Sequence, residues 1–144
     1  MILFLDIDGV MRRRGSPPRR FDADCLVSFE RAVAALPPPC EIVITSSWRE
    51  NVPLADIRAR FSSGVGGRIV GAVPVVDAGA EFPRHHEVIE FLVRSGRAPE
   101  FWIGIDDDVR AYPDHCRVVL TDPARGFDDA AARRLAVLAR ERRG

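Results

Sequence analysis

Lysine is absent from the chain: all 21 basic side chains are arginine, and 21 acidic ones balance them to a formal net charge of zero. No overall field therefore singles out a polyanionic partner, and any phosphate chemistry that uses a lysine must find another cation here. Cysteine is scarce. Cys25, Cys40 and Cys116 stand alone with no C-x-x-C pair, so their spacing indicates neither a zinc site nor a disulfide framework, and each reads as a small buried residue. Long apolar runs are missing too. None approaches the roughly 20 residues that a bilayer span needs. The first run, Met1 to Leu5, is too short for a secretory leader and has no basic residue ahead of it, so a cytoplasmic protein with no membrane partner is expected. No repeat, low-complexity tract or long linker divides the sequence, and nothing in it points to an obligate protein partner. What is present is 144 residues with 47% hydrophobic and 29% charged side chains. That is too apolar for a disordered chain and enough for one core, so a single domain over residues 1–144 is expected.

Short apolar runs alternate with helix-like segments. Ile2–Leu5, Ile42–Ile44, Phe101–Ile105 and Val118–Leu120 read as buried strands, with a weaker candidate around Val73–Val76. Leu26, Phe29, Val33 and Leu36 recur on one helical face until Pro37–Pro39 stops the helix. Leu54, Ile57 and Phe61 mark a second helix behind Pro53. Val88, Phe91 and Leu92 mark a third, ending near Gly96. Ala131, Leu135 and Leu138 mark a fourth, with Asp128 and Asp129 at its positive end. This alternation predicts an α/β sandwich of three layers, a central parallel sheet with helices on both faces. Ligands of such sheets bind beyond the carboxyl ends of the strands.

Three of those strand ends carry chemistry. The first run leaves as Asp6-Ile7-Asp8-Gly9-Val10, where glycine permits a sharp turn of the backbone. The second leaves as Thr45-Ser46-Ser47-Trp48-Arg49, and the third as Asp106-Asp107-Asp108. Each piece alone also reads as a turn former. In a parallel sheet they converge on one edge, where five carboxylates raise one another's pKa unless a cation intervenes. Oxygen donors of this kind suit Mg2+ beside a substrate phosphate. An EF-hand does not fit, because Val10 to Pro17 supplies none of the further oxygen ligands that its loop needs.

Taken in order, Asp6-Ile7-Asp8-Gly9-Val10, Thr45/Ser46 and Asp106–Asp107 resemble motifs I, II and IV of the haloacid dehalogenase-like (HAD) phosphohydrolases. Ser47-Trp48-Arg49, Arg84 before an amphipathic helix, Ile105-Asp106-Asp107-Asp108 and Leu120-Thr121-Asp122-Pro123 are similar, more narrowly, to the small HAD domains of bacterial RNA-repair fusion proteins. The resemblance covers nearly the whole chain and implies a Rossmann-like HAD core.

The resemblance further implies a Mg2+-dependent phosphatase in which Asp6 attacks phosphorus to form an aspartyl-phosphate, and Asp8 serves first as general acid and then as general base. Mg2+ is then held by Asp6, the main-chain carbonyl of Asp8 and a motif IV carboxylate, with Asp107 as the direct ligand and Asp106 its neighbour, or the reverse. Thr45, or Ser46 beside it, donates to the phosphoryl oxygens. Arg84 is the substitute for the lysine that the family places at motif III, against a plain reading as a helix-surface arginine. Arg49 holds a distal substrate group or forms an ordinary ion pair. Trp48 reads as core, and His85 and His86 as solvated surface.

Neither Met11 to Glu41 nor Glu50 to Pro83 has room for a substantial cap, so the site is expected to be open to a bulky phosphorylated substrate such as a nucleic-acid end or a phosphoprotein. Arg12, Arg13, Arg14, Arg19 and Arg20 crowd the segment after motif I. They read either as a phosphate-backbone contact or as a soluble loop. A second function class stands beside the enzyme: a catalytically degenerate HAD-like module that binds phosphate or nucleic acid without turnover.

Overall fold

The computed structural model describes residues 1–76, 79 and 81–143. Among these, five strands pair into one sheet: β1 (Ile2–Leu5), β2 (Glu41–Ile44), β3 (Ile69–Ala72), β4 (Trp102–Asp106) and β5 (Val118–Leu120). They lie in the order β3-β2-β1-β4-β5, and every pairing is parallel. The helices are α1 (Ala23–Ala34), α2 (Leu54–Arg58), α3 (Ser63–Gly66), α4 (Pro83–Arg94) and α5 (Asp129–Arg140). The expected α/β architecture is present, a Rossmann-like core without a cap.

Alternation along the strands sorts side chains onto two faces. Leu3, Leu5, Ile42, Ile44, Ile103 and Ile105 join Phe29 and Val33 of α1, Ile57 of α2 and Leu135 and Leu138 of α5 in the larger core. Ile2, Phe4 and Val43 point the other way, onto Val88 and Leu92 of α4, with Tyr112 completing that smaller core. Each fully buried Leu, Ile or Phe contributes about 2 kcal/mol, so most of the burial free energy lies on the α1/α5 face. The α4 face is covered by one long helix and by the loop between β4 and β5.

Two expected elements are displaced. The weak candidate at Val73–Val76 falls just beyond the observed strand, which runs from Ile69 to Ala72. The ladder still reaches Val73, whose N–H donates to Ile44 O at 3.0 Å, and Pro74 then has no N–H with which to continue. Gly71 inside β3 interrupts the apolar run; it faces α4, and a Cβ there would sit 3.5 Å from the Phe91 ring, in ordinary van der Waals contact. The second expected helix ends at Arg58 rather than reaching Phe61, although Phe61 is buried as its spacing implied. The short α3 that follows was not foreseen; Ser62 caps it by accepting from Val65 N. At α5, Asp128 caps the helix through Ala131 N.

No helix among the described residues is long and apolar enough to cross a membrane.

Candidate active site

The order of strands places β1 in the centre, with β2 on one side and β4 on the other. This is the point where the connections reverse direction and where such sheets open a crevice. Register then decides which side chains meet. Phe4 pairs with Val43 and with Gly104, so two residues on, Asp6, Thr45 and Asp106 stand level and point to the α4 face. Asp6 N donates to Ile105 O at 3.0 Å and Thr45 N to Leu5 O at 2.9 Å, which carries the alignment past the ends of the strands.

At that edge, carboxylate oxygens of Asp6, Asp106 and Asp107 lie within 4.8 Å of one another. Asp6 and Asp106 are buried and Asp107 is half-buried. Burial, reinforced by Asp106 and Asp107, pushes the Asp6 carboxyl well above the ordinary range. Burial and the Asp107 charge push Asp106 up to about 7, against the pull of a hydrogen bond from Asp108 N. Asp106 Oδ1 accepts that bond at 2.9 Å, while its Oδ2 is buried without a partner, as is Thr45 Oγ1. Carboxylates that repel one another, an unpartnered carboxylate oxygen and a donor set made only of oxygen fit a hard divalent cation.

Gly9 makes the crowding feasible. Its φ is +80°, and a Cβ there would come 2.2 Å from Asp107 Oδ2, so any side chain at this turn would displace the carboxylate. Thr121 secures the turn from below, its buried hydroxyl donating to Gly9 O at 2.8 Å. Gly126 (φ +68°) is also tightly enclosed, with Cys25 Sγ 2.7 Å and Val10 O 2.9 Å from where its Cβ would stand.

An open cleft of about 980 Å³ spreads over this edge, and it is lined by Asp6, Asp8, Arg84, Asp106 and Asp107 among others. Eight acidic side chains line it against three arginines, so a phosphate would be repelled unless a cation offset them. Asp8 lies at the exposed mouth, outside the group of three. Its Oδ1 accepts from Arg12 Nη1 at 3.0 Å and from Trp48 Nε1 at 3.3 Å. Trp48 is half-buried against the core, as expected, with the Arg60 guanidinium 5.0 Å above its ring.

Arg84, the second residue of α4, faces the cleft and donates from Nη1 to Glu87 Oε1 at 2.7 Å. Burial disfavours its charge, but Glu87, Asp6 and Asp106 together outweigh that and raise its pKa. The left-handed backbone of Phe82 (φ 53°) turns the chain into the helix here. Of the two readings of Arg49, the ion pair is present, with Glu87. Its Nε donates to Val73 O at 2.9 Å, its Nη1 to Thr45 O at 2.9 Å and Ser46 O at 3.0 Å, and its Nη2 to Glu87 Oε2 at 2.5 Å. The guanidinium thus pins the motif II loop to α4. Ser46 is buried, and its Oγ accepts from Trp48 N at 3.2 Å; of the two hydroxyls, Thr45 is the one left without a partner.

Glu87 and Tyr112 escaped the sequence reading, and Thr121 was noted there only as part of a resembling segment, without its role under Gly9. Glu87 is 3% exposed and receives both Arg49 and Arg84, plus Val76 N at 3.2 Å. The available signal was an acid in the apolar stripe of an amphipathic helix, one position before Val88. Tyr112 is buried under the acidic edge, and burial together with Asp106 and Asp6 pushes its phenol well above the ordinary range. The arginine cluster after motif I is partly neutralised: Arg12 pairs with Asp8, and Arg13 with Asp22 and Asp24. Arg14, Arg19 and Arg20 are exposed. His86 is exposed as expected, but His85 is half-buried beside Trp102 and Tyr112.

Residues 2–132 match the family model described as the HAD domain in Swiss Army Knife RNA repair proteins. Neither a curated protein nor a solved structure matches the chain. The family match spans every strand and both ends of the cleft, and its acidic edge stands where the ordered motifs place it: the chain belongs to this family of HAD domains.

Proposed function

We propose that the chain is a Mg2+-dependent phosphomonoesterase acting through an aspartyl-phosphate on Asp6. The observation that carries this reading is the meeting of the Asp6, Asp106 and Asp107 carboxylates within 4.8 Å, directly beside the unpartnered Thr45 hydroxyl.

Asp6, Asp107 and the main-chain carbonyl of Asp8 would hold Mg2+, with Asp106 supporting Asp107 from behind. When bound, the ion offsets the negative charge between nucleophile and phosphate. Asp6 forms a bond from its carboxylate oxygen to phosphorus as the ester P–O bond breaks. Asp8, oriented at the mouth by Trp48, gives its proton to the departing oxygen. The Asp8 carboxylate then takes a proton from the water that attacks phosphorus, and the Asp6–phosphorus bond breaks to release inorganic phosphate. Thr45 Oγ1 and the Arg84 guanidinium donate to the phosphoryl oxygens, with Arg84 in the place of the family's lysine. Arg49 acts as a positioning residue through Glu87.

The substrate we propose is a phosphorylated RNA end. The family description names RNA repair proteins, the cleft is uncapped, and a smaller cleft of about 310 Å³ shares Asp8 and is lined by Arg12, Arg19 and Trp48. Exposed Arg14, Arg19 and Arg20 supply phosphate-backbone contacts that salt weakens.

The test is hydrolysis of an aryl phosphate with Mg2+, followed by 3′- and 5′-phosphorylated RNA and DNA against nucleotides and phosphopeptides. Wild type should exceed Asp6→Asn by roughly a thousandfold or more. Equal rates reject the catalytic reading. Beryllofluoride trapping on Asp6 without turnover would instead identify a binding module.

A further inference from the structure

Donor atoms of His85, His115 and Cys116 lie within 4.8 Å of one another, as a group distinct from the Asp6, Asp106 and Asp107 carboxylates. His85 is the third residue of α4, and His115 and Cys116 lie near the end of the loop that leads into β5. The chain runs 30 residues from His85 to His115, so no spacing motif announces the group. Among the described residues, none of these three side chains makes a hydrogen bond, so two imidazoles and a thiol converge with their donor atoms unengaged. The imidazoles of His85 and His115 stand 5.9 Å apart at 85°, and His85 is backed by Trp102 at 6.3 Å and Tyr112 at 6.4 Å.

We infer that His85, His115 and Cys116 form a transition-metal site for an ion of the Zn2+ class. The chemistry of the donors separates it from the carboxylate edge. Nitrogen and sulfur suit borderline and soft ions and hold Mg2+ poorly, whereas oxygen does the reverse. Zn–N and Zn–S bonds of about 2.0–2.3 Å at tetrahedral angles put donors about 3.5 Å apart. Exposed His115 is free to rotate and close that difference. Three protein donors leave the fourth position to solvent on the exposed side.

The location gives the site a purpose. The loop from Asp107 to Arg117 carries Asp107 into the cleft, yet it contains no helix or strand. The α4 face has only one long helix, and its contact with this loop includes one main-chain hydrogen bond, His85 N to Ala111 O at 3.1 Å. An ion shared by His85, His115 and Cys116 closes the loop onto the start of α4. It thereby fixes the separation between Arg84, the neighbour of His85, and Asp107, and lowers the entropy of the unclosed chain.

Co2+ binding tests this directly. With the carboxylate edge saturated by Mg2+, one equivalent of Co2+ should produce a thiolate-to-cobalt charge-transfer band and the visible bands of tetrahedral cobalt, and Zn2+ should abolish both by competition. Cys116→Ser should remove the charge-transfer band. His115→Ala, at an exposed position, and His85→Asn should each weaken binding by roughly a hundredfold. Asp6→Asn should leave the spectrum intact, which makes the result independent of the phosphatase reading. Absence of a thiolate band in wild type, or its survival with unchanged affinity in His115→Ala, overturns the assignment.

Discussion

The acidic edge should make the metal-free protein lose stability as pH rises through the weakly acidic range. Asp106 is 2% exposed and titrates near 7 in the folded chain, against an ordinary 3.8. Below about pH 4 it is protonated in both folded and unfolded chains and contributes nothing. Between 4 and 7 the unfolded chain releases a proton that the folded chain retains, so folding weakens with each step, and above 7 the full penalty is present. At about 1.4 kcal/mol for each pH unit of displacement, the loss amounts to about 4 kcal/mol. For a domain of this size that lowers Tm by roughly 10–15 °C. Asp6 is displaced in the same direction and adds to the slope.

Thermal melts in EDTA from pH 4.5 to 8, on wild type and Asp106→Asn, measure the effect. Asparagine keeps an oxygen for Asp108 N and removes the ionisation. The variant should therefore be the more stable protein at pH 8, and the two curves should converge towards pH 4.5. The Met1 amine and the His85 imidazole are both lowered by burial. They favour the folded state as pH rises, but both proteins share them, so the difference reports Asp106 together with the part of the Asp6 displacement that Asp106 causes. Replacing EDTA with Mg2+ at roughly a thousand times its Kd returns about 4 kcal/mol to wild type and should close the gap. Parallel curves in EDTA across the whole range would refute the argument that these carboxylates are crowded in a dry edge.

Gly9→Ala and Gly15→Ala form a matched pair: both positions have positive φ, at +80° and +88°, but only Gly9 faces Asp107, and Gly15 has open space. Each should lose about 1–2 kcal/mol to backbone strain, while Gly9→Ala should also lose the Mg2+-dependent rise in Tm that Gly15→Ala retains. Glu87→Ala leaves the buried side chain of Arg49 without its carboxylate and should cost about 3–5 kcal/mol in urea unfolding; Glu87→Gln, which retains hydrogen-bonding capacity, should cost less. Thr121→Val removes the hydroxyl that holds Gly9 O and should cost about 1–3 kcal/mol, read by the same denaturant titration.

Much of the site was legible because a parallel sheet converts sequence position into spatial position. Asp6, Thr45 and Asp106 each follow an apolar run by one step or end it, and a ladder in register sets them level. Positions that depend on long side chains were not legible in this way. Arg49 read as either a substrate contact or an ion pair because it follows motif II; it pairs with Glu87, but its other three partners are main-chain carbonyls, which have no signature in sequence. Glu87 three residues after Arg84 resembles the surface ion pairs common on helices, and only the path of the β2–α2 loop makes it a buried junction. β3 was hidden by Gly71, which interrupts an already short apolar run.

That junction also explains why the burial lies where it does. The α1/α5 face contains the larger core and can supply most of the stability. The α4 face instead carries Glu87 between two guanidiniums, with Asp6, Asp106 and Tyr112 alongside. A buried ion pair returns little net stability compared with apolar packing of the same volume. Its effect here is geometric: Glu87 fixes Arg49, Arg49 fixes the carbonyls of Thr45 and Ser46, and the same carboxylate aims Arg84 at the carboxylates. One helix thus sets the distance between the motif II hydroxyl and Arg84, the arginine proposed above for the place of the missing lysine. Repacking Phe29 or Leu135 should therefore alter stability with little effect on the site, whereas a change at Glu87 reaches Thr45 and Arg84 together.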